Sequence, residues 1–154
     1  MGVPIDAKVS TMLQSEEGFR AHVYDDATGL PVTRGSTLKG HPTVGYGVAL
    51  DVGGITDVEA QYLLSNRIGL LRCILTAYPW FTGLDIVRQH AVMCMAYQLG
   101  AEGVRRFSGM CAALLSHDYD LAAQNVTTSI WATQTPARAQ RVAAMILTGQ
   151  YAVI

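Results

Sequence analysis

Two carboxylic acids stand close together near the start of this 154-residue chain: Glu17 in Ser15-Glu16-Glu17-Gly18-Phe19-Arg20, and Asp26 in Tyr24-Asp25-Asp26-Ala27-Thr28-Gly29. Two carboxyl groups can work on one glycosidic bond if their surroundings differ. One must keep its proton for the leaving oxygen, and the other must stay ionised to activate water or stabilise positive charge. Apolar surroundings raise a carboxyl pKa, and N–H groups donated by a turn do not. Glu17 beside Phe19, at the end of a helix expected to be buried, suits the acid. Asp26 in a turn suits the ionised partner. Thr43 stands in Thr43-Val44-Gly45-Tyr46-Gly47, a segment of strand and turn formers. Taken singly, each has an ordinary alternative. Most acids are solvated surface charges, and Thr is a common strand residue.

The elements that must position these groups follow from pattern and punctuation. A first helix is expected over about Ile5 to Phe19, with Ile5, Val9, Met12 and Leu13 on one face. From Gly29 to Gly54 there are seven glycines and two prolines among β-formers such as Val32, Thr33, Val44 and Tyr46, which predicts short strands and turns. Thr56-Asp57-Val58-Glu59 matches a capping box and opens a long helix toward Ala77, ended by Pro79. A helix over about Asp85 to Leu99 is apolar nearly all round at its centre and stops at Gly100. Shorter helices are expected near Phe107–Leu115 and Tyr119–Val126, the second capped by Asp118. Thr135-Pro136 opens the last helix and Gly149 closes it. The fold class is α+β, with a small β-containing lobe, a connecting helix and a helical lobe.

Composition narrows the function. Half of the residues are hydrophobic and 15% are charged, so the chain should fold. Eleven Lys and Arg against twelve Asp and Glu leave no basic footprint for nucleic acid. No apolar stretch reaches the ~18 residues of a membrane helix, and the N-terminus lacks the pattern of a secretory signal. Cys73, Cys94 and Cys111 are odd in number and carry no CxxC, which argues for reduced, mostly buried thiols. His22, His41, His90 and His117 show no ligand spacing, so no metal and no cofactor are expected.

Glu17-Gly18-Phe19-Arg20, Tyr24-x-Asp26 and Thr43-Val44-Gly45-Tyr46-Gly47 together resemble the T-even phage lysozyme family, glycoside hydrolase family 24. The likeness continues through Ile55-Thr56-x-x-Glu59-Ala60, then Tyr97-Gln98-Leu99-Gly100 with Gly103-Val104-x-x-Phe107. It ends in Trp131-x-x-Gln134-Thr135-Pro136-x-Arg138-Ala139-x-Arg141-Val142. The resemblance implies a single lysozyme-like domain: a small lobe over about 15–55, an inter-lobe helix over about 56–77, and a helical lobe over about 78–154 joined by the N-terminal helix. It implies Glu17 as general acid, and Asp26 and Thr43 positioning and activating water, with inversion. It places Tyr97, Gln98 and Asn125 along the glycan, and has Arg138 pair with Glu17, an Arg fork holding a carboxylate at two points. Arg141 would do the same for Glu16.

The implied activity is that of an endolysin, a muramidase acting on peptidoglycan glycan strands as a monomer, without nucleic acid or membrane insertion. It would be made in the host cytoplasm and reach the wall through a separate release system. The alternatives are an inactive peptidoglycan-binding module and an amidase. The chain departs from the family's pattern in two places. Sixteen residues separate Asp26 from Thr43, a longer gap than usual, and Leu30 to Pro42 is expected to project from the small lobe while Thr43 still faces Asp26. Val48 stands where the family often has His.

Overall fold

The computed structural model describes residues 7–152, so Ile5 of the expected first helix lies outside the described residues. The chain divides into two compact units, one up to Ala60 and one from Gln61 onward.

The first unit opens with α1 (Ala7–Glu17). Gly18, at φ +66°, stops it by taking the left-handed conformation in which glycine avoids a Cβ clash, and its N–H reaches Gln14 O at 3.2 Å. The described α1 buries none of its residues, Val9, Met12 and Leu13 included, contrary to the buried helix expected from its spacing.

Three short antiparallel strands follow in the order β1 (Arg20–Asp25), β2 (Pro42–Gly45) and β3 (Val48–Ala49). Tyr24 pairs with Thr43 and Asp25 with Pro42, while Thr43 and Val44 pair on their other side with Ala49 and Val48. The long β1–β2 connection does not simply bulge outward. Pro31 bridges Tyr24, Val32 N donates to Val23 O at 2.9 Å, and Asp25 N donates to Leu30 O at 2.9 Å. Its entrance is thus stitched along β1, and residues 33–39 carry the exposed part.

Helix α2 (Asp57–Leu75) begins as the capping box requires. Glu59 N donates to Thr56 Oγ1 at 3.3 Å, and Glu59 Oε2 accepts from Thr56 N at 2.7 Å. The second unit then contains α3 (Pro79–Thr82), α4 (Ile86–Arg105), α5 (Ser108–Leu115), α6 (Tyr119–Thr127), α7 (Ile130–Gln134) and α8 (Pro136–Thr148). Asp85 caps α4, its carboxylate accepting from the N–H of Val87 and Arg88, both at 3.0 Å. Gly100, at φ +73°, interrupts α4 where the sequence indicated a stop, and the helix resumes to Arg105. Asp118 caps α6 and Gly149, left-handed at φ +68°, closes α8. Thr135 stands at the N-cap position of α8 but makes no side-chain cap; its hydroxyl donates to Trp131 O at 3.1 Å.

Ala91, Val92, Met95 and Ala96 of α4 are fully buried, as an all-round apolar helix should be. Around them close Phe81, Met110, Leu114, Val126, Trp131 and Ile146. Each large side chain removed from water in this way contributes about 1.5–3 kcal/mol before entropy is counted. Of the three thiols only Cys111 is buried; Cys73 and Cys94 are exposed, against the expectation that most would be covered.

Candidate active site

Glu17 is the last residue of α1, and its position is explained by a glycine in the β2–β3 hairpin. A Cβ placed on Gly47 would lie 2.7 Å from Glu17 Oε2 and 3.2 Å from its Cδ. The Glu17 carboxyl therefore rests on backbone that carries no side chain, and Gly47 is also left-handed at φ +76°. Gly45, at φ +68°, makes the other bend of the turn, but nothing lies within 4 Å of its would-be Cβ. So Gly-Tyr-Gly combines one glycine needed for the turn alone and one needed for both turn and acid. The rings of Phe19 and Tyr46, 5.5 Å apart, join the segment after Glu17 to the same turn. Phe19 is itself exposed, so this ring does not bury the acid.

Asp26 follows β1. Its Oδ1 accepts from His41 N at 2.7 Å, and its own N–H donates to His41 O at 3.1 Å. Thr43 is 3% exposed, and its hydroxyl donates to the same carbonyl, His41 O, at 3.2 Å. Asp26 and Thr43 are thus brought to one residue, His41, from opposite sides of the β1–β2 connection. Gly40 makes this approach possible, because a Cβ there would lie 2.0 Å from Asp26 Oδ1.

The neighbouring Asp25 escaped the sequence reading. It is buried, and its carboxylate accepts from Ala27 N at 3.0 Å, Lys39 N at 2.7 Å and Gly40 N at 3.0 Å. The Lys39 N–H leads in holding the Asp25 pKa below its ordinary value; burial opposes it, and the N–H groups of Ala27, Gly40 and Thr28 reinforce it. Asp25 ties the far end of the long connection to β1, which is why an insertion of this length leaves Asp26 and Thr43 together. A pair of acids beside a turn was the available signal: one stitches the loop and the other faces outward.

The remaining predicted residues belong to the second unit. There, α2, α4 and α8 line an apolar groove of about 630 Å³, with Leu64, Met93, Tyr97 and Val142 in its walls and Arg138 and Arg141 among its lining residues. Arg138 Nη1 donates to Gln98 Oε1 at 3.0 Å. Tyr97, Gln98 and Arg138 are therefore neighbours. Asn125 lies apart from that set, its Nδ2 donating to Leu121 O at 2.8 Å and its Oδ1 seated over Gly109.

A small three-stranded antiparallel sheet followed by a predominantly helical unit, with an acid seated on a Gly-Tyr-Gly hairpin, is a lysozyme-like α+β fold. The phage lysozyme family model matches residues 14–146, and the chain belongs to that family of glycoside hydrolases. Among curated relatives, the pre-baseplate central spike protein Gp5 of Enterobacteria phage T4 is 30% identical over 92% of this chain, which spans only 28% of that protein's length. A probable T4-type lysozyme 1 of Dictyostelium discoideum is 25% identical over 93% of this chain and 95% of its own. No described helix is long and apolar enough to cross a membrane.

Proposed function

We propose that the chain is a muramidase that hydrolyses the β-1,4 bond between N-acetylmuramic acid and N-acetylglucosamine in peptidoglycan, and that it serves host cell lysis. The observation that carries this reading is the seating of the Glu17 carboxyl on Gly47, next to a hairpin whose base holds Asp26 and Thr43 on His41. Membership of the phage lysozyme family supports it.

In this reading Glu17 gives its proton to the glycosidic oxygen as the bond to the anomeric carbon breaks. Asp26, acceptor of a backbone N–H and exposed on its other side, accepts a proton from water. The Thr43 hydroxyl orients that water for attack on the face opposite the leaving group. The product then has the inverted α-configuration, and the two carboxyl groups stand roughly 6.5–9.5 Å apart to admit the water. Tyr97, Gln98 and Asn125 contact the glycan. The enzyme acts as a monomer, accumulates in the host cytoplasm and reaches the wall through a separate release system.

Glu17→Gln tests the assignment. The amide keeps the size of the side chain but has no proton to give, so lysis and reducing-end release should vanish while the melting curve stays unchanged. Wild-type turnover in that variant would remove Glu17 from the role. Free amines in place of new reducing ends would mark an amidase, and neither product would mark a wall-binding module.

A further inference from the structure

His41 does more than carry a peptide between Asp26 and Thr43. Its N–H donates to Asp26 Oδ1 at 2.7 Å, and its carbonyl accepts from Asp26 N at 3.1 Å and from the Thr43 hydroxyl at 3.2 Å. A rotation of this one residue would displace both groups together. The residue before it is Gly40, the type with the widest backbone freedom, so the chain alone does not fix the orientation. The side chain supplies an anchor. His41 Nδ1 lies 3.1 Å from both carboxylate oxygens of Asp51. Asp51 sits in the turn after β3, and that turn is held by Leu50 N donating to Pro42 O at 2.9 Å and Gly53 N donating to Ala49 O at 3.3 Å.

We propose that His41 and Asp51 form a protonation-dependent clamp that positions Asp26 and Thr43 for attack by water. The inference rests on the roles given to Asp26 and Thr43 above. His41 is a positioning residue in it and touches no substrate. The charged groups facing the imidazole are Asp51, from the turn after β3, and Asp26, from the end of β1. Asp25, next along, has its oxygens on the N–H groups of residues 27, 39 and 40, and Lys39 stands two residues before His41. The surroundings are therefore acidic and favour the imidazolium. The hydrogen bond that the imidazolium donates to Asp51 leads in raising the His41 pKa above 6.5, followed by the charge of Asp51, with burial opposing and Asp26 adding to the rise. The sign follows: the clamp is complete below 6.5 and is lost as pH rises through the elevated value.

The test compares His41→Gln and Asp51→Asn with the wild-type chain, measuring kcat and KM on a soluble peptidoglycan oligomer from about pH 5 to 9. Gln keeps the backbone bonds to Asp26 and Thr43 but cannot ionise. The ratio of wild-type to variant kcat cancels any pH dependence that the chains share. That ratio should be roughly two- to fivefold at low pH, the span of an exposed ion pair, and should fall to one above the His41 midpoint, with KM unchanged. NMR of the His41 ring should show its midpoint move down in Asp51→Asn. A ratio of one throughout, or a ratio independent of pH, overturns the clamp, because the pair is then a surface contact or a purely structural one. If Glu17→Gln remains active, the reading of the site has failed. If Glu17→Gln is inactive and the ratio is flat, the clamp alone has failed.

Discussion

Gly47→Ala separates the position of the acid from the stability of the hairpin. The backbone there is left-handed at φ +76°, so any Cβ costs about 1–2 kcal/mol in strain. The same Cβ would stand 2.7 Å from Glu17 Oε2, well inside van der Waals contact. The atom it meets is the end of a flexible side chain, so the collision adds little to the stability cost. The carboxyl moves aside instead, by the better part of an ångström. A displacement of that size at a reacting group costs on the order of 100-fold in rate. Gly45→Ala is the matched control: it sits at φ +68°, bears the same strain, and has nothing within 4 Å of the new methyl. Both variants should melt about 2–8 °C below the wild-type chain. Only Gly47→Ala should lose roughly 100-fold in kcat for reducing-end release from peptidoglycan. Equal turnover in the two variants, once both are shown folded by circular dichroism, would refute the argument that Gly47 makes room for the acid.

Thr43→Val should lower kcat on the order of 100-fold by removing the hydroxyl, while Thr43→Ser, which keeps it, should stay within a few-fold of the wild-type rate; stopped turnover assays of both variants check this. Asp25 has a depressed pKa, so its contribution to stability is present above 3.8 and lost as pH falls through the lower folded value. Denaturant unfolding followed by fluorescence should accordingly find Asp25→Asn less stable than wild type at pH 7, with the difference shrinking as pH falls through the lower folded value. A thiol-specific alkylating reagent at pH 8 should modify Cys73 and Cys94 and spare Cys111, which is buried and whose thiol burial pushes up to about 11; mass spectrometry of the intact chain should show two additions.

Much of the helical architecture could be read from local signals. The Thr56–Glu59 box, Asp118, Gly100 and Gly149 act within a turn of their own position, and each is found where the sequence put it. The helices α3 and α7 went unread because four and five residues are too few to display a 3.6-residue period. Of the candidate site, Glu17, Asp26 and Thr43 were legible as residue types in a familiar pattern, and Gly47 as part of a motif. What the glycine meets was not. The bonds that Asp25 accepts from the N–H groups of residues 39 and 40, and Asp26 from that of His41, join backbone to side chain across some fourteen or fifteen positions and leave no periodic trace. For that reason the sequence indicated a projection over Leu30 to Pro42 with fixed ends, but not the bonds along β1 that confine the exposed part to residues 33–39. The His41–Asp51 pair was hidden for the same reason.

The central claim is the bond that is cut, and mass analysis of the products from a defined peptidoglycan, joined to NMR of the first anomer released, tests it most directly. The account predicts fragments ending in N-acetylmuramic acid, with a new reducing end that appears first in the α-configuration. Fragments with intact glycan and freed peptide amines, or a reducing end on N-acetylglucosamine, would contradict it.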